Sequence, residues 1–417
     1  MNQAISMKYR YKVLSILVVL SVITFLDRVC MNVVSKYVKE DLHLDNQQLG
    51  FILGAFSLSY ALFELPTGIL GDRIGPRKVL TRVVIWWSAC TALTGAAFGY
   101  VYLIVIRFLF GAGEAGAYPN ASIAIARWFP AHETGKAQSA IWAAARLGGA
   151  LTPLMVIPLV HAVGWRLAFL VLGCIGMVWA ICWHAWFRDE PSQMKGISPN
   201  EIIEIEAARK QTISHNIEWK KVIVDPNIRN LMLMCHLFFY ASYFFTNWSA
   251  TYFQEGRGLS EEDSKNFIAL SYFLGAIGCV VGGFVSDWLV KKRGLVFGRR
   301  AVAVVGLGLS AVFFLFAGLT TNNQLAGYLL ACCVFSKDLA LPVAFATCVD
   351  IGKQHAGTVT GTMNFAGQLG GFFITIIFGI IVKQTHNFQL PLFLISGCLL
   401  VSAFLWLKID PTKEIAQ

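Results

Sequence analysis

Apolar residues run along this chain in long continuous blocks separated by short polar or charged stretches, without a sustained alternation at every second position. Each block is about 20 residues or longer, the length at which a helix crosses roughly 30 Å of hydrocarbon. Twelve blocks can be read: 13–34, 47–70, 79–98, 101–127, 135–160, 166–187, 228–253, 263–290, 299–320, 323–347, 356–382 and 388–408. Lipid offers the backbone no hydrogen-bonding partner, so such runs must be helical. The pattern predicts an all-α integral membrane protein of twelve transmembrane helices.

One long polar interruption, 188–227, divides the blocks six and six. The expected organisation is an amino-terminal six-helix lobe (1–187), a linker (188–227) and a carboxy-terminal six-helix lobe (228–417). Within the linker, Ser198-Pro199-Asn200-Glu201 reads as an N-cap serine, a proline at the first helical position and a capping-box glutamate. These open a short helix through about Lys210, expected to lie as a solvated connector along the membrane surface. An even number of spans puts both termini on one side. Loops on that side carry Lys8, Arg10, Lys12, Arg73, Arg77, Lys78, Arg127, Lys136 and the 291–300 cations, while the opposite loops are short and poor in net positive charge. By the positive-inside rule the termini are expected in the cytoplasm, with the chain multi-pass in the cell (inner) membrane.

Composition removes the soluble classes. Of the 417 residues, 56% are hydrophobic and 14% charged, with a mean hydropathy of +0.60. A soluble enzyme carries roughly 25% charged residues, so much of this surface must face lipid. The net charge of +10 could suggest nucleic acid, but its concentration on one side of the spans assigns it to topology. The 10 cysteines form no CxxC pair, and Cys90, Cys174, Cys279 and Cys398 lie inside apolar runs, where they read as small hydrophobes. His132, His236 and His355 lack metal-ligand spacing, and no GxxxxGK[ST] phosphate loop is present. No metal, no cofactor and no ATP-driven chemistry are expected. The first apolar run is too long for a signal peptide, carries Asp27-Arg28 and lacks a small-residue cleavage site.

The halves echo one another. After the second block stands Gly68-x-x-x-Asp72-Arg73-x-Gly75-x-Arg77-Lys78, and after the eighth Gly283-x-x-x-Asp287 followed by Lys291-Lys292-Arg293. Glycine lets neighbouring helices approach, while the acid and the cations can bridge to charges or helix ends on the adjacent lobe. A same-orientation repeat of this kind is how rocker-switch transporters are built.

The first of these motifs resembles the signature of the major facilitator superfamily between its second and third helices, and the six-plus-six layout agrees. Leu26-Asp27-Arg28, Arg107-x6-Glu114-Ala115, Arg127-Trp128-Phe129-Pro130-x-x-Glu133, and Asp350-Ile351 with Ala356-Gly357-Thr358-Val359-x-Gly361-x-Met363-Asn364 narrow the resemblance to its anion:cation symporter family. The resemblance covers nearly the whole chain. It implies the major facilitator fold and transport of an organic anion such as an aldonate, hexuronate or glucarate-like sugar acid, coupled to protons. One departure is Cys30-Met31, which replaces the small polar residues that often follow the first-helix Asp-Arg.

An ionisable group near the bilayer centre costs on the order of 2.5–3.5 kcal/mol on insertion scales, so each one is a functional candidate. Here they are Asp27 and Arg28, Glu64, Arg107 and Glu114, Arg146, and Lys337 with Asp338. Arg107 and Glu114 are seven residues apart, which returns them to nearly one helix face about 10.5 Å apart along the axis. Each is expected to engage something across the cavity, with Asp27 and Arg28 the natural candidates. Adjacent residues differ by about 100° on a helix, so Asp27 and Arg28 point differently.

Asp27 and Glu114 are the candidate proton-coupling acids, a role that the resemblance favours; the alternative is a fixed ionic lock. Arg28 and Arg107 are the first choices for a substrate carboxylate, because the guanidinium fork makes two parallel charge-assisted bonds. By resemblance Tyr60 and Asn364 occupy cavity positions that bond substrate hydroxyls. Asn247 and Gln368 are polar groups in apolar spans that either line the site or join two helices. Glu64, Arg146 and Asp338 are further cavity charges, with Glu64 and Arg146 expected to neutralise each other inside the amino-terminal lobe. Gly68, Asp72, Arg73, Gly75, Arg77, Arg127 and Asp287 are expected to gate the cytoplasmic face. Most aromatics are expected in the core, facing lipid or in the interfacial belts; a cavity position for Trp142 and Trp248 is the lesser reading.

The leading reading is a proton-coupled importer of a small organic anion working as a monomer in the bilayer. An exporter of an anionic metabolite or carboxylate siderophore keeps the same fold, and a non-transporting membrane sensor is the rival from another class. The intact intramembrane acids and paired Gly-x-x-x-Asp motifs argue against the sensor, which needs no coupled proton site.

Overall fold

The computed structural model describes residues 7–130, 133–207, 224–352 and 356–413, and in it every apolar block is helical. His132, His355 and the expected continuation of the linker helix to Lys210 lie outside the described residues. Helix α1 (Tyr9–Val33) continues past Val34 into α2 (Ser35–Leu42), so the first span reaches well beyond its apolar block. Helix α3 (Asn46–Ile74) opens with a capping box: Asp45 accepts from the Gln48 amide at 2.8 Å, and Gln48 accepts from the Asp45 amide at 3.0 Å.

Gly75, at φ +86°, ends α3 and lets Pro76 start α4 (Pro76–Thr94) at once. The left-handed backbone there and the Asp189 carboxylate, 2.5 Å from where a Cβ would stand, leave room for glycine alone. The fourth span is two helices, α5 (Tyr100–Glu114) and α6 (Ala117–Trp128). Helix α7 (Thr134–Trp186) is two spans divided at Gly164, where φ is +79°.

The linker bears α8 (Pro199–Ala207). The second lobe follows with α9 (Pro226–Asn247), which breaks at Trp248 before a π-turn at Tyr252–Gly256, then α10 (Glu261–Arg293) and α11 (Leu295–Leu319). Its fourth span again is broken, into α12 (Asn323–Asp338) and α13 (Ala340–Gly352), and α14 (Ala356–Thr385) and α15 (Leu390–Trp406) complete it. These are the twelve spans in two six-helix lobes that the hydrophobic pattern predicts. The pattern misses the breaks in the fourth and tenth spans because apolar residues continue across both. Each break falls directly after a buried acid, Glu114 in one lobe and Asp338 in the other.

Lobe meets lobe along two helix pairs, α3 with α14 and the first half of α7 with α10. At the face away from the termini the seam is laced shut. Asn32 donates to the Phe245 carbonyl and Ser249, Tyr37 donates to Glu261 at 2.7 Å, Lys383 pairs with Asp45 at 3.0 Å, and Lys39 pairs with Glu255. At the face that carries the termini a cavity of about 610 Å³ stands between Gly135, Lys136 and Ser139 of one lobe and Asp287, Arg299 and Pro342 of the other.

Two sequence expectations change. The Glu201 carboxylate does not close a box on its own helix; it accepts from the backbone amides of Tyr9 (3.1 Å) and Arg10 (3.0 Å), capping α1 from the linker. Glu204 adds ion pairs to Lys8 and Arg10, each at 2.8 Å, so this stretch is tied to the first lobe rather than merely solvated. Cysteines 174 and 182 are exposed on α7, on a surface shared with Val178 and Ile181 that suits lipid, whereas Cys90 is buried.

Candidate functional site

The site is built on α1, α3 and α5. Asp27 and Arg28, consecutive on α1, take opposite neighbours. Arg28 donates through Nε (2.9 Å) and a terminal nitrogen to one oxygen of Glu114, the last residue of α5. Its guanidinium also lies against the rings of Tyr60 (4.8 Å), Phe56 (5.2 Å) and Phe25 (5.3 Å), so aromatic faces replace part of its hydration. Asp27 accepts from the Trp87 indole at 3.2 Å. Arg107 bears electrostatically on Asp27 and Glu114 but has no ion pair among the described residues; its charge rests against Phe110 at 4.3 Å and Phe56 at 5.3 Å.

All four groups are buried, and among the described residues three of their polar atoms have no hydrogen-bonding partner: Asp27 Oδ1, Glu114 Oε2 and Arg107 Nε. Buried polar atoms are normally satisfied, and unmet ones concentrate where a proton or ligand belongs. The arrangement can hold an anion on two guanidinium groups and can store protons on two carboxylates.

Tyr60 is buried beside Arg28. Asn364 of α14 donates to Glu64 of α3 at 2.5 Å, across the lobes. Gln368 accepts from Tyr243, and Asn247 donates to Thr375 at 2.7 Å, so both of these join α9 to α14 inside the second lobe. Trp248 is fully buried, as the core reading of the aromatics expects, stacked on Phe378 at 4.6 Å and bonded to the Thr375 carbonyl. Trp142 stacks on Tyr118 at 4.7 Å and reaches Phe345 of the other lobe at 5.6 Å.

The expected mutual neutralisation of Glu64 and Arg146 is not found. Glu64 faces α14 along one inter-lobe pair, whereas Arg146 belongs to the other and meets Asp338 of α12 at 3.0 Å. Asp338 is also paired with Lys337, its neighbour in sequence.

At the terminal face, the motif residues engage their own lobe or the start of the linker. The Arg77 amide donates to Asp189 at 2.9 Å and its guanidinium to the His184 carbonyl at 2.6 and 3.0 Å; Arg127 lies 3.6 Å from Glu190. Arg299 gathers Asp287 (2.9 Å) and Asp350 (3.0 Å). Asp72 and Arg73 are exposed, and Gly68 sits against Pro119. Among the described residues none of these makes the expected bridge to the adjacent lobe, and a cavity lined by Asp287 and Lys136 stands between the lobes there.

Sequence reasoning missed Trp87, Phe56, Tyr118 and Tyr272 as neighbours of the charges. A tryptophan amid the third span was the one visible signal, since its N–H wants a partner when buried.

Residues 17–375 match the family description Major Facilitator Superfamily. The chain is 33% identical to a protein of Cupriavidus necator named "Probable sulfoacetate transporter", over 98% of this chain and 95% of that one. It is 31% identical to the hexuronate transporter of Bacillus subtilis, covering 95% and 94% of the two chains. The D-galactonate transporter of an Escherichia coli strain is 26% identical over 96% of both. Among solved structures, a bacterial homologue of the human lysosomal transporter Spinster, crystallised inward-facing, superposes with a TM-score of 0.78 at 18% identity over 98% of each chain, which speaks to the fold.

Proposed function

The chain belongs to the major facilitator superfamily, and from that premise we propose that it is a proton-coupled symporter importing an organic anion, of the sugar-acid class, across the inner membrane by alternating access. The observation that carries this reading is the buried Arg28–Glu114 pair, with its unpartnered carboxylate oxygen, next to Asp27 and Arg107. A substrate carboxylate arriving at Arg28 and Arg107 competes with Glu114 for the guanidinium. Once released, the acid is a buried carboxylate without a counter-ion, and taking a proton removes that cost. The loaded site is then neutral enough for the lobes to rock. The named substrates of the relatives, sulfoacetate, hexuronate and galactonate, are all organic anions and support the class.

Lobes 1–187 and 228–417 are the rocking bodies in this proposal, with 188–227 as the connector. The basic terminal face lies in the cytoplasm by the positive-inside rule. The cavity at that face and the laced opposite face make the arrangement inward-open. Residues Asp72, Arg73, Arg77, Arg127 and Asp287 would close the cytoplasmic face in the other state. A single chain contains the whole site, so a monomer suffices.

Reconstituted protein under an imposed pH gradient tests the reading. Labelled hexuronate, galactonate or sulfoacetate should be concentrated inside with proton entry. Substrate flux without proton movement, or with a sodium requirement, overturns the coupling.

A further inference from the structure

Arg146, Lys337 and Asp338 bring two positive charges and one negative into the seam between the lobes. Among the described residues, Asp338 is the carboxylate in ion-pair contact with either cation. Lys337 comes from the same helix, is 1% exposed, and lies 4.4 Å from the Phe238 ring within its own lobe. It neutralises Asp338 from behind. Arg146 reaches the same carboxylate from the opposite lobe, and its side chain, 14% exposed, is the most accessible of the three.

If the cluster only held the lobes together, Arg146 and Asp338 would do so as a balanced pair. Burying a third charge beside them adds a desolvation cost and no further bridge. The surplus positive charge makes sense where an anion answers it. The cluster is also continuous with the first site. Phe25, under Arg28 at 5.3 Å, stands 6.5 Å from the Tyr272 ring. Tyr118, for its part, stacks on Trp142, one turn before Arg146 on the same helix, so aromatic side chains line the way from one cationic group to the other.

We infer that Arg146 is a second anion-binding pole and that the transported molecule is a small dianion, one acidic group held by Arg28 and Arg107 and the other by Arg146. This rests on the carrier reading above and adds the substrate's charge. Lys337 is a positioning residue: it occupies Asp338, which would otherwise claim all of Arg146.

Matched acids of equal chain length test the inference on the reconstituted full chain: threonate against tartrate, and gluconate against glucarate, each pair differing in one terminal carboxylate. The reading is the ratio of KM for the monoanion to KM for the dianion. In the natural protein it should exceed about ten, the scale of one charge-assisted hydrogen bond. In Lys337→Met it should fall toward one, since Asp338 then balances Arg146, and Lys337→Arg should restore it. Should the methionine variant fail to fold, Arg146→Gln reads the same collapse. A ratio near one in the natural protein, or an unchanged ratio in Lys337→Met or Arg146→Gln, overturns the second pole and leaves the carrier intact. Flux of no acid in the panel, nor of hexuronate, galactonate or sulfoacetate, overturns both readings.

Discussion

Arg28 spends both of its donors to Glu114 on a single carboxylate oxygen, Oε1, and leaves Oε2 without a partner inside the membrane. The pair is therefore incomplete on its acid side, which suits a group that must let its partner go and accept a proton. Replacing Glu114 with Gln fixes the side chain in a permanently neutral form. Glu114→Gln is expected to exchange labelled for unlabelled substrate yet to lose accumulation against a gradient; uphill transport with normal pH dependence in that variant would remove Glu114 from coupling.

Among the described residues Arg107 has no ion pair, and its charge is met by two aromatic faces instead. Planar stacking and a two-pronged hold on a carboxylate are properties of the guanidinium that an ammonium lacks. Arg107→Lys should weaken substrate binding nearly as much as Arg107→Ala, by about ten-fold or more. Titration of binding by tryptophan fluorescence or calorimetry checks this, and near-native affinity in the lysine variant would exclude Arg107 as the clamp.

Gly75 combines a left-handed backbone with a carboxylate crowded against its α-carbon. Gly75→Ala must strain the turn and push Asp189 away from the Arg77 amide it accepts from at 2.9 Å. The expected loss is about 1–3 kcal/mol, read as a lower melting temperature in detergent. An unchanged melting temperature would mean that the turn rearranges freely.

The Glu204 carboxyl is pulled down from 4.5 to about 2 by hydrogen bonds from Arg10 and Lys8. A lowered pKa means that the linker's hold on α1 is fully present above about pH 4.5 and fades as pH falls toward 2. Protection of the first-turn amides of α1 against exchange, taken relative to an unstructured peptide at the same pH, should therefore be high at neutral pH and fall only in that acidic window. Glu204→Gln should lower that protection at pH 7; equal protection in both proteins would show that Glu204 does not help to anchor the turn.

The number, length and grouping of the spans were legible because the bilayer imposes one length and one hydrogen-bonding rule on every crossing. The identities of the intramembrane charges were legible for the same reason, since each is an exception to an apolar run. Their pairing was legible only in part: Glu114 meets Arg28, one of its two expected partners, but the partners of Glu64 and Arg146 could not be read. Helical spacing says which face Glu64 or Arg146 shares with its own helix, but not which of several neighbouring helices that face meets. Glu64 therefore looked like a partner for Arg146 when Asn364 lies across the lobes from one and Asp338 from the other. Glu201 misled in a similar way: a capping box is a local pattern, and the amides of Tyr9 and Arg10, 192 and 191 residues away, were the better-placed donors.

The partners of Arg146 and Glu64 lie 192 and 300 residues further along the chain. During synthesis the first lobe must therefore enter the bilayer with Arg146 uncompensated until the tenth span arrives, and with Glu64 waiting for the eleventh. At about 2.5–3.5 kcal/mol for an arginine at mid-membrane, the half-made protein is marked by its own incompleteness. Nothing comparable burdens Glu114, whose arginine was made earlier and stands in the same lobe. These two arginines thus depend on the chain in different ways: Arg28 finds its acid within the first lobe, whereas the charge of Arg146 is answered only when the second lobe docks.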